Sequence, residues 1–170
     1  EKKTSLIAEK HILVAGHPLA VEAGNEILAK GGSAIDAAIA VQMVLNVVEP
    51  HASGIGGGGF LLYYDANKKK SLYFDGRETA PEIVDEKIFL NEDGTAREFF
   101  DVVRGGLSVG TPGVLKMLKM AHDAHGVLPW AEVFEPAIRI AEQGFIVSPR
   151  LEEYITKDTL LMKIPASRDH

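Results

Sequence analysis

From Lys10 onward the chain passes through blocks of distinct hydrophobic periodicity. His11-Ile12-Leu13-Val14-Ala15 is a short apolar run that reads as a strand ending at Gly16. Pro18, whose φ is already near the helical value, opens a helix to Lys30, with Leu19, Ala23, Ile27 and Leu28 at helical spacing. Gly31-Gly32 supplies the left-handed stop. Ser33 with Asp36 three residues later has the form of a capping box, so a second helix begins at once. Between Ala34 and Val48 it is apolar on nearly every face, which predicts burial. Glu49-Pro50 closes it.

A glycine run from Gly54 to Gly59 leads into Phe60-Leu61-Leu62-Tyr63-Tyr64-Asp65, a strand by its aromatic and apolar content. Ala66 to Lys70 is turn-like and Ser71-Leu72-Tyr73-Phe74-Asp75 returns, giving a β-hairpin with a basic tip. Pro81 through Gly106 is irregular, with a strong turn signal at Asn91-Glu92-Asp93-Gly94. After Thr111-Pro112-Gly113 a helix carries Val114, Leu115, Met117, Leu118 and Ala121 inward and ends near Gly126. Another runs from Pro129-Trp130 to Gly144, and Ser148-Pro149 starts a last one through about Lys157. The order predicts α/β layers with a shortage of strands. Since two strands make no stable sheet, the rest of the sheet is expected in a segment or subunit beyond these residues, and 1–170 reads as a single partial domain.

Composition narrows the function classes. The 170 residues carry 18 Lys+Arg and 24 Asp+Glu, a net charge of −6, with 46% hydrophobic residues, so a folded chain is expected rather than a disordered one. The longest uncharged apolar run, Ala37 to Val48, falls short of the roughly 20 residues of a membrane span. Nucleic acid is disfavoured because the one cationic cluster, Lys68-Lys69-Lys70, sits at the predicted hairpin tip. The absence of cysteine excludes a disulfide framework, a thiolate metal site and a cysteine nucleophile in this chain. The chain opens at Glu1 without an apolar leader, so any targeting segment is expected to have been removed or to lie outside it.

The glycine run invites a phosphate-cradle reading, but phosphate loops open helices and this run opens a strand. Close approach of backbone to backbone or ligand is the alternative use of consecutive residues lacking Cβ. In Asp75-Gly76-Arg77-Glu78-Thr79-Ala80-Pro81, Arg77 stands at a strand end, where its planar fork can grip a carboxylate. Taken alone, a solvated ion pair with Glu78 or Asp75 accounts for it better. His122 and His125 lie three apart on a helix but lack a third metal ligand, and solvation at the helix end is the better account. His51 adjoins the glycine run. Thr4 cannot serve as an amino-terminal nucleophile with three residues before it, and no hydrolase signature fixes a catalytic residue.

Taken as strings, Gly31-Gly32-Ser33-Ala34-Ile35-Asp36-Ala37-Ala38, Val48-Glu49-Pro50-His51 through Gly59-Phe60, and Asp75-Gly76-Arg77-Glu78-Thr79-Ala80-Pro81 resemble the large subunit of γ-glutamyltranspeptidases. Val109-Gly110-Thr111-Pro112-Gly113, Gly126-Val127-Leu128-Pro129-Trp130, Pro136-Ala137-Ile138 and Gly144-Phe145-Ile146-Val147-Ser148-Pro149 continue the likeness in order, from Val14 to Pro165. The resemblance implies an N-terminal-nucleophile hydrolase of αββα architecture, made as a self-cleaving precursor, with this chain the amino-terminal piece of the large subunit. It implies γ-glutamyl transfer and hydrolysis, on glutathione and other γ-glutamyl amides, by a threonine at the start of a small subunit from the same precursor. It also implies that Arg77 holds the α-carboxylate of the γ-glutamyl group and that the protein acts in an extracellular or periplasmic space; no cofactor or metal is expected. Acylase and poly-γ-glutamate-cleaving relatives share the glycine run and form the alternative. The rivals outside the family are a non-catalytic interaction module and, last, a nucleotide-binding domain.

Overall fold

The computed structural model describes residues 7–103, 105–158, 163 and 165; Thr4 lies outside the described residues. The chain forms α1 (Pro18–Ala29), α2 (Ala34–Val48), β1 (Phe60–Asp65), β2 (Lys70–Asp75), α3 (Phe99–Val102), α4 (Val114–His125), α5 (Glu135–Gln143) and α6 (Pro149–Lys157). Two compact units result: the described residues up to Gly54 together with those from His122 onward, and Ile55–Ala121.

In the first unit α2 is the central element, packed by α1 and α5. Its start follows from local chemistry: the Ser33 hydroxyl accepts from Asp36 N at 3.1 Å and Asp36 Oδ2 accepts from Ser33 N at 2.8 Å, completing the capping box. Gly31, at φ +88°, makes the reversal between the helices that a side chain would strain. Ile27, Ala37 and Ala40 form a buried cluster joined by Leu13, Leu28 and Leu128. Ile35, Ile39, Val44 and Val48 are likewise buried, as an all-round apolar helix requires. At the other end of the chain, Ser148 Oγ accepts from Leu151 N at 3.1 Å and caps α6.

Several expectations are corrected. Residues 11–15 form no strand, because no described segment offers the backbone donors and acceptors that a ladder needs. Leu13 is nevertheless held against the helical cluster, while Ile12 and Val14 are exposed. Leu115 is 37% exposed rather than inward, unlike Val114, Met117, Leu118 and Ala121. The helix expected from Pro129-Trp130 starts later: a 3-10 turn at Glu132–Phe134 precedes α5, whose first turn holds Pro136. Among the described residues from Pro81 to Gly106 the chain is irregular as read, apart from the short α3.

The second unit is organised by the antiparallel hairpin, in register from Phe60↔Asp75 to Asp65↔Lys70. Its tip holds Lys68 and Lys69, and Asp65 Oδ1 accepts from the amides of Asn67 and Lys68 at 3.0 and 3.1 Å. One face bears Phe60, Leu62, Tyr64 and Tyr73, all exposed, with the Phe60 and Tyr73 rings stacked 5.9 Å apart. The described strands are these two alone.

Candidate functional site

The hairpin does not stop at its last ladder pair. Beyond Asp75, Gly76 and Gly59 exchange backbone hydrogen bonds, Gly76 N to Gly59 O at 3.0 Å and Gly59 N to Gly76 O at 3.2 Å. Beyond Arg77, Thr79 pairs with Thr111, which donates to Thr79 O at 2.8 Å. Gly57 O accepts from Gly113 N and Val114 N at 3.2 and 3.3 Å, which satisfies amides at the start of α4. Gly57 to Gly59, Gly76 and Gly113 thus bring backbone directly against backbone. The glycine run opens a strand and serves close approach, as its position before Phe60 predicts.

Arg77 is carried by this braid. Its amide donates to Asp75 Oδ1 at 2.9 Å, an Asx turn that fixes the chain just before the side chain departs. The guanidinium is exposed and, among the described residues, makes no ion pair. The surface bridge to Asp75 or Glu78 that a lone arginine invites is not formed among the described residues; Asp75 meets Arg77 through the Arg77 backbone amide instead. Arg77 lines a groove of 410 Å³ with Gly56, Glu78, Thr79, Ser108 and Gly110. Ser108 Oγ donates to Val103 O at 3.1 Å, so its hydroxyl has an internal acceptor. A planar cation with free donors, standing on a fixed backbone in a shallow polar groove, suits a small anion with two coplanar oxygens.

The lining residues Thr79, Ser108 and Gly110 went unrecognised as a group in sequence. The Val109-Gly110-Thr111-Pro112-Gly113 string signalled a helix start, and nothing local says that a segment more than thirty residues along the chain returns to Arg77.

The histidines have structural work. His122 is not a solvated helix end: its Nε2 lies 2.9 Å from Leu128 O and 3.5 Å from Asp36 Oδ1, and its ring meets Trp130 edge to face at 5.1 Å. Asp36 is fully buried and accepts from Val127 N and Leu128 N at 2.9 and 3.2 Å as well as from Ser33 N. Burial opposes its charge, yet these amide donors outweigh burial and hold the carboxyl below its ordinary value. His51 pairs with Glu49 Oε2 at 3.3 Å and stacks on Tyr154 at 4.4 Å, with Arg150 Nη1 3.7 Å from the same oxygen. Among the described residues no three His, Cys, Asp or Glu side chains group as metal ligands, and no described helix is long and apolar enough to cross a membrane.

Comparison with known proteins gives the class and then the family. The described fold is part of the α/β fold of the N-terminal-nucleophile hydrolases: it superposes on Helicobacter pylori gamma-glutamyltranspeptidase with a TM-score of 0.90 and 32% identity, over 98% of this chain and 47% of that one. A cephalosporin acylase from Bacillus halodurans follows the same course, with a TM-score of 0.77 and 30% identity over 96% of this chain and 32% of that one. In sequence, the "Glutathione hydrolase proenzyme" of Bacillus subtilis (strain 168) is 41% identical over 99% of this chain. The Gamma-glutamyltranspeptidase family pattern matches residues 20–169, and the chain belongs to that family. It spans 29% of the length of the B. subtilis relative.

Proposed function

We propose that this chain is part of an enzyme that transfers and hydrolyses γ-glutamyl groups, glutathione among its donors, and that Arg77 receives the donor's α-carboxylate. The observation that carries the reading is the exposed Arg77 guanidinium, without an ion-pair partner among the described residues and rooted in a hydrogen-bonded glycine braid at a groove of 410 Å³. A γ-glutamyl donor differs from other amides by its free α-amino and α-carboxylate groups. A bidentate clamp on the carboxylate fixes the register of the donor and so the place of its distal amide. Glu78 gives the groove a negative charge beside the positive one, in keeping with a zwitterionic ligand end.

Arg77 is a binding group, and bond breaking falls to a residue beyond this chain. The nucleophile the family resemblance implies is the amino-terminal threonine of a small subunit cut from the same precursor. Its oxygen adds to the γ-carbonyl, the C–N bond breaks, and the departing amine takes the threonine's proton. Water or an acceptor amine then adds to the resulting ester and returns the threonine. Donors of this kind in an extracellular or periplasmic space are the matching setting.

The test is Arg77→Lys in the complete precursor. Lysine keeps the charge and loses the fork, so KM for a γ-glutamyl anilide is expected to rise roughly 10- to 100-fold, the loss of one strong charge-assisted hydrogen bond, with kcat changed less and self-cleavage intact. Unchanged kinetics would remove Arg77 from the site. The likeness to an acylase supports a second reading, in which the donor carries no α-carboxylate; there Arg77→Lys would spare an acyl donor of that kind.

A further inference from the structure

The loop that bears Arg77 is seated on the first turn of α4, and this contact carries an inference that rests on the reading of Arg77 as a carboxylate clamp. Gly113 and Met117 are one helical turn apart, and Met117 N donates to Gly113 O at 3.0 Å. Gly76 lies against both. A Cβ on Gly76 would stand 2.6 Å from Met117 Cβ and 2.9 Å from its Sδ. A Cβ on Gly113 would stand 2.7 Å from the Gly76 carbonyl carbon and 2.9 Å from Arg77 O, and nearer still to Gly76 O. Those neighbours are backbone atoms, which cannot swing aside as the end of a side chain can. Gly106 is a contrast within the same unit: a Cβ there meets nothing within 4 Å.

We propose that the first turn of α4 is a saddle that sets the Gly76–Arg77 peptide, and that Gly113 is thereby a positioning residue for binding the γ-glutamyl donor. Gly76 is held on one edge by its paired hydrogen bonds to Gly59 and pressed on another by Gly113 and Met117. The Arg77 amide is fixed by Asp75. A long arginine leaving such an anchored Cα loses only its own rotamer freedom on binding a carboxylate, whereas one on a loose loop would lose loop freedom too. Gly113 touches no substrate in this scheme. It acts through Arg77, so its effect belongs on KM.

The experiment compares Gly113→Ala, Arg77→Lys and the double variant in the complete precursor, with Gly106→Ala as control, by steady-state kinetics on a γ-glutamyl anilide. Gly113→Ala is expected to raise KM about tenfold with kcat within about threefold, and to add little once Arg77 is lysine, because both changes then act on one interaction. Gly106→Ala is expected to leave KM as it was. An unchanged KM in Gly113→Ala, or a KM effect that multiplies fully with that of Arg77→Lys, overturns the saddle while leaving the clamp in place. A silent Arg77→Lys overturns the clamp and the saddle with it. If Gly113→Ala yields no folded, self-cleaved enzyme, Met117→Ala removes the thioether that stands beside Gly76 on the same helical turn. A several-fold rise in KM that Met117→Leu restores supports the saddle, and no rise overturns it.

Discussion

Asp36 shows what a single residue can fix. Fully buried, it closes the capping box of α2 and receives the Val127 and Leu128 amides from ninety residues along the chain. Asp36→Ala leaves three amides without their acceptor, and the expected cost is about 3 kcal/mol of stability in the complete enzyme, measured by denaturant unfolding. The pH dependence follows from the direction of its shift. Unfolded, the carboxyl titrates near 3.8; folded, it titrates lower, so the native state favours the charged form. Its contribution is fully present above the unfolded value and is lost as pH falls through the folded one. Below about pH 4 the wild-type stability curve should therefore fall more steeply than that of Asp36→Ala. Sequence showed Asp36 as a cap and no more. Its second set of donors and its neighbour His122 come from a distant turn, which is also why His122 read as a solvated histidine.

At the scale of elements, what was legible carried its own start and stop signals. Both ends of α1, the capped start of α2 and the Ser148 cap of α6 follow from hydrogen bonds made within four residues, which sequence order alone specifies. Ser33→Ala should accordingly cost about 1 kcal/mol, read as a lowered Tm of the complete enzyme. The failures share the opposite cause. Residues 11–15 have strand composition, but a strand exists only with a neighbour. Pro129-Trp130 looked like a helix start, yet the Trp130 ring packs against His122 and Phe134, and the chain spends those residues on a turn before α5. The Arg77 groove was half legible. The arginine and its glycines stood out in the string, while the saddle made by Gly113 and Met117 depends on a contact between segments far apart in sequence.

For the molecule as a whole, the described strands leave apolar surface without cover. Leu62 is 76% exposed, with Phe60, Tyr64 and Tyr73 also open on the same face of the hairpin. A lone hairpin is at best marginal in water, and a contiguous apolar face of this kind invites association. The 170-residue chain made by itself should therefore scatter light or bind a hydrophobic dye, and the complete precursor should do neither. A cooperatively melting monomer of this length, free of dye, would show that the exposed faces need no covering segment. The two-unit division and the family membership both concern this stretch of chain; the chemistry proposed for it requires the rest.

The central claim is that Arg77 grips the amino-acid end of the donor, and binding alone, without turnover, tests it most directly. Calorimetric titration of the self-cleaved enzyme with L-glutamate, which keeps the α-carboxylate and lacks the scissile amide, should show affinity falling at least about tenfold in Arg77→Lys. Equal affinity in the two proteins would contradict the account.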